Sequence, residues 1–218
     1  MTANASQPRS RRPAASPATG TVRVPSTLWA LGAKPLDPDD RWPDPVLAHV
    51  VGEFSDPGSR VLLIGWPAPT TRGTLRILEP DTAVALAAVR ELDRHGIDAP
   101  YSGAPVDLVI ASLLADHPDP MVAAEYVTAV ATEVMAMGAL LVVLSRCRHS
   151  QRGVLLDSAG SVVAAAQTAD LLYLQHIIAA PVSGHTITTA PAEPAAPGVP
   201  RHTVAHTDVF VFLQPEHG

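Results

Sequence analysis

The chain of 218 residues has little of what several classes of protein require. It has one cysteine, Cys147, which excludes an internal disulfide framework. No stretch approaches the roughly 20 consecutive apolar residues of a membrane-spanning helix. The arginine-containing start is not followed by the apolar segment of a secretory signal. A net charge of −6 gives no overall attraction to nucleic acid or anionic membranes. We therefore expect a cytoplasmic protein that makes no membrane contact.

Motifs of several enzyme classes are also missing. The sequence has neither the G-x-S-x-G turn of many hydrolases nor the phosphate-binding G-x-x-x-x-G-K-[ST] loop. His202 and His206 are four residues apart, but they lie where a loop runs into a strand, so we predict no metal site. Cys147 stands between Arg146 and Arg148, whose charges would lower its pKa. No further group completes a nucleophilic site, which favours an incidental thiol.

Composition divides the chain into a tail and one domain. Residues 1–24 are rich in Pro, Ser, Ala and Arg without apolar periodicity, and we predict that they are disordered. Residues 25–218 are predicted to form a single domain, because 47% of the chain is apolar and suffices for one core. Residues 181–201, rich in Pro, Ala and Thr, are predicted to be a mobile loop. The basic cluster SRCRHSQR (residues 145–152) is either a solvated loop or a contact for a phosphate backbone.

Apolar segments with helical and strand patterns alternate along the domain. Helices are predicted over Val46–Phe54, Asp81–His95, Asp119–Gly138 and Ala159–Ala169. Strands are predicted over Val61–Gly65, Leu75–Leu78, Val106–Ser112, Ala139–Ser145, Leu172–Ala179 and Asp208–Leu213. This alternation predicts an α/β fold with a mostly parallel sheet and helices on both faces. The last two strands have no helix between them, so we expect an antiparallel hairpin at one edge.

The most informative stretch runs from Arg60 to Glu79. A strand, a loop and a second strand that ends in an acid outline a Rossmann-like nucleotide-binding unit. The loop WPAPTT (residues 66–71) lacks the glycines that let a backbone approach a ligand. It contains Pro67 and Pro69, which have no N–H and cannot take a positive φ. The strands therefore indicate a nucleotide-binding fold, whereas the loop lacks the glycines that ligand binding would need.

This order of elements resembles the class I S-adenosylmethionine-dependent methyltransferases. VDLVIAS (residues 106–112) is similar to the strand that leads into the catalytic [DNS]-P-P-[YFW] motif of DNA amino-methyltransferases, and MGALLVVLS (137–145) to their fifth strand. STLWALG (26–32) and HTVAHTDVFVF (202–212) are similar to segments of actinobacterial DNA methylases. The resemblance implies a Rossmann-like class I methyltransferase sheet and S-adenosylmethionine as the cofactor.

The resemblance also implies roles for individual residues. Glu79 would accept hydrogen bonds from both ribose hydroxyls; as an alternative, it would cap the helix that follows. Gly65, Thr70 and Thr71 would face the methionine part of the cofactor. Ser112 would accept a hydrogen bond from the target amino group, although the prolines and the aromatic of the catalytic motif are missing.

The family pattern has a third strand with an acid near the adenine. Only GIDAPYSGAP (residues 96–105) separates the predicted helix from Val106, so this segment looks truncated, and the resemblance implies that Asp98 is the remnant of that acid.

Three readings of the function follow from these matches and departures. The first is a divergent methyltransferase-like protein of the DNA amino-methyltransferase type with weak or lost catalysis. The second is a non-enzymatic pseudo-methyltransferase that binds DNA or a protein partner. The third is a small-molecule methyltransferase. If the chain is an enzyme, it is a methyltransferase.

Overall fold

A computed structural model describes residues 27–66, 71–72, 75–76, 79–97, 103–115, 119–149, 154–189 and 203–216. Within these ranges the chain forms a seven-stranded sheet and four helices. The sheet strands are β1 (Leu28–Ala30), β2 (Arg60–Gly65), β3 (His95–Ile97), β4 (Val106–Ser112), β5 (Met135–Ser145), β6 (Leu172–Ala180) and β7 (Thr207–Leu213). The helices are α1 (Asp44–Phe54), α2 (Pro80–Glu91), α3 (Pro120–Val134) and α4 (Ala159–Thr168).

The sheet order is β1-β6-β7-β5-β4-β2-β3. Every pair of neighbours is parallel except those that involve β7, which runs antiparallel to both β5 and β6. This arrangement confirms the predicted Rossmann-like class I methyltransferase sheet with its antiparallel C-terminal hairpin. Strand β1 was not predicted; it pairs with β6 and occupies the edge beyond the hairpin.

Helices cover both faces of the sheet, as predicted. Side chains alternate between the faces along each strand. In β4, Leu108 and Ile110 pack with α1 and α2, whereas Val109 and Ala111 pack with α3 and α4. Two apolar cores result, one on each side, and the strands between them are buried on both faces. Such burial explains their nearly continuous apolar sequences.

The prediction that Leu75–Leu78 is a sheet strand is wrong. Leu75–Arg76 pairs with Thr71–Arg72 in a short antiparallel hairpin outside the main sheet. The sheet neighbour of β2 on that side is β3, which the sequence pattern assigns to the end of a helix and its stop.

Helix α2 ends earlier than its apolar pattern predicts. Asp93 adopts a left-handed φ of 64°, which terminates the helix and allows the chain to turn into β3. Gly96, the predicted stop, is instead a strand residue. A Cβ at this position would lie 3.1 Å from Leu86 Cδ2 and 3.2 Å from the Leu86 carbonyl oxygen, so its lack of a side chain permits close packing against α2.

Helix α3 begins as predicted and ends sooner. The Asp119 carboxylate caps it by accepting the N–H of Met121 at 2.9 Å and of Val122 at 3.3 Å. The helix ends at Val134, and the predicted stop, Gly138, lies within β5 with a φ of 78°. Strand β5 therefore starts four residues before its expected beginning.

Two predicted segments fall largely outside the described residues, namely the tail of residues 1–24 and most of the loop of residues 181–201. The loop is described as far as Thr189, and Val182–Ser183 pairs with Thr186–Ile187 in a short hairpin. Among the described residues, no helix has both the length and the apolar content needed to cross a membrane.

Candidate functional site

Two predicted site residues meet where parallel strands end. Gly65 and Ser112 are the last residues of β2 and β4, and they are register partners. The carboxyl ends of parallel strands are where α/β sheets bind ligands. The structure therefore brings the predicted catalytic residue and one predicted cofactor residue together on the face that carries α1 and α2.

A segment that precedes α1 lies over these strand ends; we call residues 36–42 the strap. The Ser112 hydroxyl donates a hydrogen bond to the Arg41 carbonyl oxygen at 2.6 Å, and its own oxygen faces the Leu114 N–H at 3.4 Å. Ser112 is only 1% exposed. Its hydrogen-bonding capacity is thus directed to the protein backbone rather than to a ligand.

Trp42, also in the strap, fills the space beside Gly65. The indole is buried, and a Cβ placed on Gly65 would lie 3.8 Å from its Cζ2 atom. Its Nε1 donates to the Thr82 hydroxyl in the first turn of α2 at 3.1 Å. In nucleotide-binding folds the start of this helix faces the phosphates or the cofactor. Here the strap occupies it.

Arg146 holds the other end of the strap. This residue follows β5 and is 3% exposed, and its guanidinium donates to three strap carbonyls, those of Asp37 (3.2 Å), Pro38 (3.1 Å) and Asp40 (2.8 Å). Burial, reinforced by the charge of Arg148, lowers the pKa of Arg146 to about 10. The guanidinium points inward, so the expectation that Arg146 is one of the surface cations of the 145–152 cluster is wrong.

Arg41 joins the strap to the start of α2. Its Nη2 donates to Asp81 Oδ1 at 2.6 Å, its Nε donates to Asp81 Oδ2, and Glu79 Oε2 lies 4.0 Å away. The bond to Asp81 raises the pKa of Arg41. Burial opposes the ionisation of Asp81, but bonds from Arg41 and Thr82 outweigh it and lower the pKa of that carboxyl. Asp40, by contrast, has a raised pKa because burial disfavours its charge.

Glu79 is not at the end of a sheet strand, which corrects the basis on which it was matched to the ribose-binding acid. It occupies the N-cap position of α2, where no capping hydrogen bond from its side chain is found among the described residues. The side chain is 47% exposed. The acid that directly follows the sheet neighbour of β2 is Asp98, which lies outside the described residues. The ribose role of Glu79 stays a prediction.

The remaining predicted cofactor residues are Thr70 and Thr71. Thr70 lies outside the described residues, and only the backbone of Thr71 is described, in its pairing with Arg76. Their contribution to a cofactor site also stays a prediction.

A second polar cluster lies at the same sheet edge, on the face of α3 and α4. Asp208 Oδ1 is 2.8 Å from His176 Nε2 and 3.4 Å from His206 Nε2. The bond to Asp208 raises the pKa of His206, and although burial opposes the ionisation of Asp208, the two imidazoles lower its pKa. The sequence analysis did not identify the pairing of His206 with Asp208, although residues two apart in an extended segment lie on the same face.

Cys147 does not have the activated thiol that its flanking arginines suggest. Burial raises its pKa, and the nearby carboxylates of Asp157 and Asp208 act in the same direction. The sequence neighbour Arg146 points to the strap on the opposite face. Within the described part of the chain, no three His, Cys, Asp or Glu side chains are grouped so as to hold a metal ion.

No protein-family model and no curated protein matches this chain. Similar solved structures include the N-methyltransferase NodS from Bradyrhizobium japonicum WM9 in complex with S-adenosyl-L-homocysteine, at 14% identity over 79% of this chain and 86% of that one, with a TM-score of 0.45. A TehB-like SAM-dependent methyltransferase from Corynebacterium glutamicum is 11% identical over 77% and 86% of the two chains, with a TM-score of 0.37.

TrmN from Thermus thermophilus is 11% identical, with a TM-score of 0.41, and the match covers 78% of this chain. This match spans about half of TrmN, 48% of its length. All three identities are below 25%, and all three TM-scores are below 0.5.

Proposed function

We propose that this protein is a methyltransferase-like protein of the DNA amino-methyltransferase type whose catalysis is weak or lost, and whose fold serves as a binding module. One observation carries the proposal. The hydroxyl of Ser112, in the position of the catalytic motif, is buried and bonded to the backbone of the strap.

Methyl transfer to an exocyclic amine needs an acceptor for the amine proton and room for the base. The Ser112 oxygen can still accept a hydrogen bond while its hydroxyl donates to Arg41, but this oxygen is buried, so an amine could reach it only if the strap moved aside. Such a movement would also remove the donors of Arg146 from three carbonyls. Exposing the acceptor therefore costs several charge-assisted hydrogen bonds at once.

The described residues do not fit the cofactor in the arrangement that the resemblance implies. When bound, S-adenosylmethionine supplies an activated methyl group. Its methionine part would need to approach Gly65, and the indole of Trp42 fills the space beside that residue. The turn after β2 also has two prolines where the family has glycines.

Charge favours a protein partner over DNA at this face of the module. Exposed carboxylates border the strap and the start of α2, and the nearest buried cation, Arg146, is directed inward. Phosphates would meet like charges there. The acids are Asp37, Asp39 and Glu79.

Calorimetric titration with S-adenosylmethionine and S-adenosylhomocysteine tests the proposal. For the full chain we expect no heat of binding and no thermal stabilisation at millimolar ligand. Micromolar binding that is lost in Glu79→Gln and retained in Glu91→Gln, a control at the far end of the same helix, would overturn it. That result would favour either the active DNA methyltransferase or the small-molecule methyltransferase.

A second titration separates the two kinds of module. Fluorescence anisotropy with labelled duplex DNA at 50 and 200 mM salt measures any phosphate-driven binding. We expect no binding to DNA. Salt-sensitive binding that falls on replacement of Arg148 and Arg152 by alanine would instead identify a nucleic-acid module.

A further inference from the structure

We propose that a short arginine-bearing stretch of the first 26 residues, residues 9–12, docks into a groove between α1 and α2 of the same molecule. This inference does not depend on the proposed function, because the groove lies between the two helices and is separate from the strap contacts.

The groove is apolar along its floor and acidic at its ends. It has a volume of about 420 Å³. Val84 in its wall is 65% exposed, a large fraction for a branched apolar side chain. Asp44 and Glu91 are its acids, and none of its described lining residues is basic. The apolar lining consists of Leu47, Ala48, Val84, Ala87, Ala88 and Leu92.

The two acids stand at opposite ends of the groove because α1 and α2 run parallel. Arg41, just before α1, pairs with Asp81 at the start of α2. Arg94, just after α2, donates to the carbonyl of Ser55 at the end of α1 at 2.6 Å. From Val84 to Glu91 the groove wall is about 10 Å long, which accommodates about three extended residues.

The charge of the N-terminal segment complements this groove. Residues 1–26 contain no Asp or Glu, and all 21 acids of the chain come later. An arginine can lay its methylene stem on an apolar floor while its guanidinium pairs with a carboxylate. Small alanine side chains leave room for such a stem. The four arginines of the segment are Arg9, Arg11, Arg12 and Arg23.

The described chain begins beside α1, which forms one wall of the groove. Thr27 precedes β1, and the β1 residue Trp29 contacts α1, with its ring 5.4 Å from that of His49 and 6.0 Å from that of Phe54. From Thr27 back to Arg12, an extended backbone reaches about 50 Å. The segment can therefore reach the far side of α1 without a fold of its own.

A second groove provides an internal comparison. It lies between α3 and α4 and has a volume of about 300 Å³. Its lining contains one acid, Glu125, and several alanines, so it matches the first groove in apolar character but not in charge.

Paramagnetic NMR on the full chain tests the docking. A nitroxide is attached to Ser10→Cys in a Cys147→Ser background, which leaves one thiol in the molecule. We expect the label to reduce amide signals in the α1–α2 groove at least twofold and to leave those of the α3–α4 groove unchanged. The first set is Ala48, Ala87 and Ala88, and the second is Ala129 and Ala164.

Charge and molecularity are then varied. In 0.5 M salt, or with Asp44→Asn and Glu91→Gln, we expect the signal loss to fall at least threefold, because screening weakens exposed ion pairs. Spectra of the reduced label confirm that each variant is folded. Equal signal loss in both grooves, or none in either, would overturn the inference. Signal loss in a mixture of isotope-labelled and spin-labelled molecules would overturn it too, because the segment would then come from a second copy.

Discussion

The two faces of the sheet differ in how their polar side chains are covered. On the face of α1 and α2, Ser112 and Arg146 are buried and bonded to the strap. On the face of α3 and α4, His176 and His206 converge on Asp208, and both imidazoles keep more than a third of their surface exposed. Under a covering segment, polar side chains at strand ends bond to the backbone of that segment and stabilise the fold. Where the described residues leave polar side chains partly exposed, as at His176 and His206, those side chains stay in contact with water.

The largest expected effect on stability comes from replacing Arg146, which holds the strap. Alanine at this position leaves three carbonyls of the strap without their charged donor, and we expect the free energy of unfolding to fall by about 3 kcal/mol. Urea denaturation followed by circular dichroism measures the loss.

Two further variants sharpen this test. Arg146→Lys keeps the charge but cannot spread its donors over three carbonyls, so we expect roughly half of the loss. Arg90→Ala removes an exposed arginine with a single 3.3 Å bond to the Gly96 carbonyl, and its effect should stay within about 0.5 kcal/mol. A loss under about 1 kcal/mol for Arg146→Ala would mean that water replaces the guanidinium.

A smaller effect concerns the indole of Trp42. In a double-mutant cycle of Trp42→Phe and Thr82→Val, we expect a coupling free energy of about 1 kcal/mol, the usual net contribution of one buried hydrogen bond. Urea unfolding of the four proteins provides the cycle. Strict additivity would mean that the indole packs beside Gly65 without depending on Thr82.

The smallest expected effect is the pH dependence of stability that the pair of His206 and Asp208 produces. The pKa of His206 is raised in the folded protein, so its stabilisation is complete below its unfolded pKa of about 6.5 and is lost as the pH rises through the folded pKa. The pKa of Asp208 is lowered, so its contribution disappears only as the solution becomes strongly acidic. Other ionisable groups near Asp208 are His176 and Cys147, and the Cys147 thiol also interacts with Asp157.

We therefore expect His206→Gln to lower the free energy of unfolding more at pH 5.5 than at pH 8.5. The difference should be only about 0.5 kcal/mol, because water screens this half-buried pair. Unfolding curves of both proteins at the two pH values measure the difference. His185→Gln is a matched control, since His185 is exposed in a surface turn. An equal cost at both pH values would show that Asp208 does not hold the charged imidazole.

Local apolar patterns predicted the sheet well. Strand β4 matches its prediction residue for residue, and β2 differs by one residue, because strands buried on both faces need continuous apolar sequence. The second strand was misplaced because β3 has only three residues and lacks such a run. Its pairing depends on the left-handed turn at Asp93 and on Gly96, which no apolar periodicity reveals.

The candidate site was less predictable than the fold. The register pair of Gly65 and Ser112 follows from strand ends that sequence can locate. The strap does not, because its contacts join residues separated by up to 109 positions, as in the bond from Arg146 to Asp37. The mismatch of Glu79 has the same origin, since its role was assigned from a strand that the sheet does not contain.

The sequence by itself determined the alternation of apolar strands and helices, and hence a parallel sheet with two buried faces. It also determined that the turn after β2 has prolines in place of glycines. Only the tertiary structure decided what lies over the strand ends. Hydrophobic periodicity is a local property of the chain, whereas the bonds of Arg41, Trp42 and Arg146 depend on which distant segments the packed sheet brings together.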